Sequence, residues 1–262
     1  MSRLATRLYR DYLQPERLEE LRALVARAVE LGYEPMTLSG FGERAAAGDL
    51  AARVLLLRHD IDSDVPRVRR MWEIERGLRI VGSFFFRRST WDVPFMRELS
   101  AAGCEVGYHY EELATLIKRR GAASAAEARA LIGPARERLR ASLAELRAGS
   151  GLALDVLASH GDFANRALDV ANVELLEDAA FRAAIGVRLE AYDVEDRVDV
   201  RCSDGGARGW EPVDPAAALE RGAGVVELLL HPRAWGRAPA ANARLDLGRV
   251  VEGTRYGLRR RG

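Results

Sequence analysis

Val54-Leu-Leu-Leu-Arg58-His-Asp-Ile-Asp62 is the stretch on which the reading of this chain turns. Four consecutive apolar residues are expected of a strand buried on both faces, as in a parallel sheet. The run ends in charge. Asp60 and Asp62 stand two apart, so on an extended chain they point to one side, and His59 points to the other. Working outward, the same pattern returns. An apolar stretch at 103–109 ends in His109, one at 154–158 is followed by Ser159-His160-Gly161, and one at 224–230 is followed by His231-Pro232. A strand is also expected at 81–86 (VGSFFF), with weaker ones at 36–38, 184–187 and 198–203. Between them, helical periodicity covers 15–31, 66–79, 92–102, 124–148 (with a break expected at Pro134) and 168–180. Gly40, Gly42 and Gly48 suggest a polar loop, and the chain beyond Trp235 reads as loop-rich.

Alternating strands and helices, with roughly seven strands, imply an α/β fold built on a mostly parallel sheet, open or closed into a barrel. In such folds the C-terminal strand ends share one rim, where sites are built. Three of the four histidines, His109, His160 and His231, hold that position, as do Asp60 and Asp62. The expected organisation is a single domain over 1–262, with 1–50 an N-terminal extension and 238–262 a loop-rich tail.

The 262 residues include 40 basic and 39 acidic ones, a formal charge of +1, and 48% are hydrophobic. That balance excludes a disordered chain and disfavours a nucleic-acid binder working through bulk charge. Lys118 is the single lysine. Cys104 and Cys202 make neither zinc-knuckle spacing nor a disulfide framework. Arginines interrupt the apolar residues of the first fourteen positions, and no window approaches a membrane span, so the expected location is cytoplasmic.

Adjacent carboxylates repel unless a cation or proton lies beside them. Imidazole and carboxylate together suit zinc first, with cobalt, nickel, iron or manganese as alternatives. A metal, a carboxylate base and a histidine acid suffice for hydrolysis of an amide or ester.

Arg58-His-Asp-Ile-Asp62, Gly103-Cys-Glu-Val-Gly-Tyr-His-Tyr110, Ser159-His-Gly161 and Leu228-Leu-Leu-His-Pro232 resemble, in order, motifs of the polysaccharide deacetylase family (carbohydrate esterase family 4, the NodB-homology domain). Ser83-Phe-Phe-Phe86, Ser203-Asp-Gly-Gly, Trp210 and His231-Pro-Arg-Ala-Trp235 fit a divergent branch of it. The resemblance covers about 54–235. It implies a distorted (β/α)7 barrel and metal-dependent removal of N-acetyl groups from sugars. Asp60 matches the general base, Asp62 the metal-binding aspartate, His109 the first histidine of a His-x-x-x-His motif, and His231 the general acid. The second histidine of that motif is replaced by Leu113. His160 is the first candidate to stand in for it, and Glu111 or Glu112 the second. The family's later arginine is also missing from its place, with Arg166 as a substitute.

For substrate contacts the candidates are Arg58, Asp204, Trp210 and Trp235. Arg58 could instead orient Asp60, Asp204 could cap a turn, and the tryptophans could pack a core or lid. The expected substrate is an N-acetylated sugar, such as a surface-polysaccharide (O-antigen or capsule) precursor. The alternatives are hydrolysis of another C–N bond, such as a cyclic amide, and a carbohydrate-binding relative without activity.

Overall fold

The computed structural model describes residues 3–206 and 209–260. Nine strands form one sheet: β1 (Glu34–Met36), β2 (Val54–Ile61), β3 (Ser83–Phe86), β4 (Glu105–Tyr110), β5 (Val156–Ser159), β6 (Leu189–Glu190), β7 (Val200–Gly206), β8 (Gly209–Glu211) and β9 (Val225–Leu230). Their order is β6-β5-β4-β3-β2-β9-β7-β8, and every pairing but β7–β8 is parallel. The expected mostly parallel α/β sheet therefore forms, with seven parallel strands from β6 to β7. Among the described residues no ladder joins its two ends, so the barrel is not closed.

Around the sheet lie α1 (Arg3–Leu8), α2 (Leu18–Glu30), α3 (Leu38–Ala47), α4 (Val65–Gly77), α5 (Val93–Ala101), α6 (Glu112–Arg120), α7 (Ala125–Arg129), α8 (Ile132–Ser150), α9 (Phe163–Leu168), α10 (Ala179–Ala184), α11 (Pro215–Glu220) and α12 (Pro239–Arg259). No helix among the described residues is long and apolar enough to cross a membrane.

Alternation along β2 sorts the core. Val54 and Leu56 pack inward with Phe41, Phe85, Val156 and Ala158. Leu55 and Leu57 pack outward with Leu21, Val25 and Leu219 beneath α2 and α11. The inner row continues as Arg58 and Asp60, so the interior is apolar at its base and charged toward the rim. His59 falls on the outer row. Its ring lies flat on Phe84, centroids 4.2 Å apart, and its Nε2 faces Glu75 of α4 at 3.0 Å. Gly107 lets β3 and β5 approach β4, because a Cβ there would stand 2.3 Å from the Val156 carbonyl oxygen and 2.5 Å from Phe85.

The N-terminal extension adds β1 to the start of β2, on the edge that β3 takes further along. It widens the base without closing the sheet. Four sequence expectations are corrected. The glycine-bearing loop is α3, capped by Thr37 and ended by Gly48 in the left-handed region at φ 70°; burial of Leu38 and Phe41 outweighs the poor helix propensity of Gly40 and Gly42. The loop-rich tail is α12, whose Gly248, Gly253 and Gly257 hid it. The helix over 168–180 is instead α9, a 3-10 turn at Asn172–Leu175 and α10, with Asp162 and Asp178 as N-caps. The break near Pro134 falls earlier, at Ala130–Leu131, because Pro134 sits in the first turn of α8 where its missing N–H costs nothing. In addition, the strand expected at 184–187 lies instead at β6.

Candidate active site

The strand-end residues converge at one rim. Asp60 leaves β2 buried, and Arg58 holds it in a two-pronged ion pair, Nε to Oδ1 and Nη2 to Oδ2, both 2.9 Å. Burial alone would raise the Asp60 pKa, but the guanidinium outweighs it and keeps the carboxyl well below its usual range. Arg58 is fully buried, its guanidinium over the Tyr192 ring at 4.8 Å. It therefore orients Asp60, and its expected substrate contact is corrected.

A tight turn follows, with the Asp62 N–H donating to the Asp60 carbonyl at 3.0 Å, and Asp64 then caps α4. Asp62 Oδ1 is buried and accepts no hydrogen bond. Facing it are His160 Nε2 at 3.4 Å, His109 Nε2 at 3.7 Å and Arg87 Nη1 at 3.8 Å. The two imidazoles are perpendicular, 5.1 Å between centroids. His109 Nδ1 lies 3.0 Å from the Ala158 carbonyl oxygen, which can only accept. The proton of a neutral ring therefore sits on Nδ1, and Nε2 turns a lone pair toward Asp62.

His160 is nearly buried. Desolvation, offset in part by Asp62, pushes its pKa down to about 3, so this ring is neutral near neutral pH. Two imidazole nitrogens therefore stand around a buried carboxylate oxygen that accepts no hydrogen bond, an arrangement that a cation between them would satisfy. One ligand atom from each of Asp62, His109 and His160 lies within 4.8 Å of the others, a donor set that fits one divalent ion.

The other two candidates for the missing ligand, Glu112 and Glu111, are turned away. Glu112 accepts from the Tyr108 hydroxyl at 2.6 Å and from the Glu111 N–H. Glu111 is gripped by Arg87 and stands behind His160, 3.7 Å from Nδ1. Glu111, His160 and Asp162 form a second possible cation cluster. There Arg87 already neutralises Glu111, and Lys118 Nζ, 2.6 Å from Asp162, neutralises the other carboxylate.

His231 approaches from the far side, where it shares a cavity of about 140 Å³ with Asp62, Ser63, Arg10 and Arg249. Asp204, buried on β7, accepts from His231 Nδ1 at 2.7 Å, from the His231 backbone N–H at 2.8 Å and from Trp235 Nε1 at 2.7 Å. Burial would lower the His231 pKa, but the Asp204 charge and hydrogen bond raise it to about 9. Near neutral pH this ring is a cation. Asp204 and Trp235 therefore serve His231. Trp235 is 1% exposed and packs edge-on against the half-buried Trp210, so it offers no open face to a sugar. On the other flank, His160 borders a cavity of about 510 Å³ walled by Asn165, Arg166, Asn172 and Tyr192.

Sequence reading missed two relations. Arg87 follows β3 as the histidines follow their strands, so the strand-end rule that found them would have found it. The pairing of Asp204 with His231 has no local signal. It follows from the register of β7 on β9, Ser203 opposite Leu229.

No family model matches the chain, and no curated protein matches its sequence. Solved structures do. The chain is similar to members of carbohydrate esterase family 4. A mutant of BA3943, a pseudoenzyme of that family with restored enzymatic activity, aligns at 14% identity and a TM-score of 0.41, over 79% of this chain and 68% of that one. Wild-type BA3943 from Bacillus anthracis aligns at the same identity and TM-score, over 77% and 66%. A point mutant of peptidoglycan deacetylase PdaC from Bacillus subtilis aligns at 14% and 0.40, over 77% and 85%. At this distance the geometry of the site itself carries the functional reading.

Proposed function

We propose that this chain is a metal-dependent hydrolase that removes an N-acetyl group from a sugar. One observation carries the reading. A buried Asp62 oxygen that accepts no hydrogen bond faces Nε2 of both His109 and His160, with the ionised Asp60 carboxylate on one side and the His231 imidazolium on the other. When bound by Asp62, His109 and His160, a divalent cation, zinc first, supplies the positive charge that polarises an amide carbonyl and its attacking water. Asp60, fixed by Arg58, accepts the proton of that water. His231, held protonated by Asp204, donates to the departing amine. The acyl group leaves as acetate and the sugar keeps the free amine.

The roomy, polar cavity beside His160 suits the sugar, and the exposed Arg166 on its wall is placed to contact the sugar's hydroxyls. The substrate class is a soluble or precursor N-acetylated sugar, such as an O-antigen or capsule intermediate on the cytoplasmic side. The test is acetate release from a panel of N-acetylated sugars by zinc-loaded and chelated protein. Release that disappears on chelation and returns with zinc is expected. Full activity in chelated protein, or ring opening of a cyclic amide without acetate release, overturns the reading.

A further inference from the structure

The exposed apolar side chains of this protein are not scattered. Among the described residues, Leu8, Tyr9 and Leu13 lie in the N-terminal segment and Leu247, Val250, Val251 and Leu258 on α12. Val29 and Leu50 alone lie elsewhere. The two terminal segments form one layer. The Tyr12 hydroxyl donates to Asp246 at 2.6 Å, Asn242 donates to the Asp11 carbonyl, and Arg233 binds Asp11 and Asp246 at 2.8 and 2.7 Å.

Helix α12 has two distinct faces. Inward, Tyr256 is buried with its hydroxyl on the Ala122 carbonyl, and Glu252 meets Lys118 at 2.9 Å. Outward, Leu247, Val250, Val251 and Leu258 follow the spacing i, i+3, i+4, i+11, one stripe of a 3.6-residue helix, with exposures of 41–67%. Arg244 and Arg255 flank the stripe, both exposed and without an ion pair among the described residues. Arg259 and Arg260 extend the positive charge at the helix end. Both acids of the helix, Asp246 and Glu252, are engaged by Arg233 and Lys118. The outer face is thus apolar and cationic with no compensating anion.

We infer that this terminal layer docks the protein on an anionic lipid bilayer. A basic helix with one apolar stripe lies in the plane of a membrane surface, its apolar side chains among the acyl chains and its arginines on the headgroups. A second copy is a poorer occupant. Pairing two such faces sets uncompensated arginines against each other, and a stripe one side chain wide is small beside the roughly 800 Å² per partner of a stable dimer. Arg249, on the opposite side of the same helix, lines the cavity shared by Asp62 and His231, so the docked layer adjoins the site.

The test is flotation of the full chain with phosphatidylglycerol vesicles and with phosphatidylcholine vesicles at low and high salt. Co-flotation with the anionic vesicles, lost as salt rises and absent with the neutral ones, is expected. Arg244→Glu with Arg255→Glu, and separately Leu247→Asp with Leu258→Asp, each lower the partition coefficient by about tenfold or more. All four positions are exposed, so melting temperature and metal content stay unchanged. Three results overturn the inference: no flotation with anionic vesicles, equal flotation with both kinds, or a solution dimer that Leu258→Asp dissociates. None of these readouts uses catalysis, so they stand or fall apart from the hydrolase reading.

Discussion

His160, after β5, and His231, after β9, stand at one rim with β4, β3 and β2 between their strands, and they differ in what stands behind the ring. Behind His160 is Glu111, already neutralised by Arg87, and the nearby positive charges add to desolvation in keeping the imidazole neutral. Behind His231 is Asp204, buried and in direct contact with Nδ1, and the imidazole is a cation near neutral pH. On the proposed reading, the same side chain serves as a metal ligand in one place and a proton donor in the other. The choice is made one layer back from the reacting atoms, by a carboxylate with or without its own arginine.

The largest effect is expected on the ligand side. Asp62→Asn replaces the carboxylate that both imidazoles face with a neutral amide, a poor metal ligand, and the rate should fall by about 10³-fold or more, with metal lost from the purified protein. Retained metal and a small rate effect would move the ligand role elsewhere. Asp60→Asn should cost about 10²–10⁴-fold in rate while metal is retained. It also strands the buried Arg58 charge, so a stability loss of about 3–5 kcal/mol should appear in denaturant unfolding. A rate loss without that destabilisation would mean that the Arg58 pair is not formed.

Asp204→Asn sharpens the comparison on the donor side. His231 should drop from about 9 toward its ordinary 6.5, so at pH 8 the protonated fraction, and with it the rate, falls by roughly thirtyfold, with metal content unchanged. The native enzyme should keep its rate up to about pH 9 and lose it above. Stability follows the same group. Its folded pKa is raised, so its contribution is full below about pH 6.5 and fades as pH rises through about 9. The variant should lack that fade. Trp235→Phe should act least. Asp204 loses one donor and accepts more strongly from His231, and the alkaline limb moves upward by less than one pH unit.

Much of the site was legible in the sequence because strands report it directly. An apolar run followed by Asp60, His109, His160 or His231 places those residues at one rim wherever the sheet is parallel. Period-two alternation likewise sent His59 to the outer face against Glu75. The rest depends on partners far along the chain. Asp204 and Trp235 look like sugar contacts in a linear reading. The approach of β7 to β9 and the burial of the 3-10 turn Pro232–Trp235 make them supports for His231 instead. Helices α3 and α12 escaped for a simpler reason. Glycines lower intrinsic propensity, and only tertiary contacts, Phe41 in the inner core and Tyr256 against Ala122, repay it.

Cobalt(II) titration of metal-free protein, followed by its visible absorption, is the most direct test of convergence around one cation. One equivalent per chain should bind with a spectrum of mixed nitrogen and oxygen ligation. Asp62→Asn, His109→Ala and His160→Ala should each abolish it, and His59→Ala and Glu112→Gln should leave it intact. Binding that survives all three ligand substitutions, or that never occurs in the native chain, would contradict a shared metal centre at this rim.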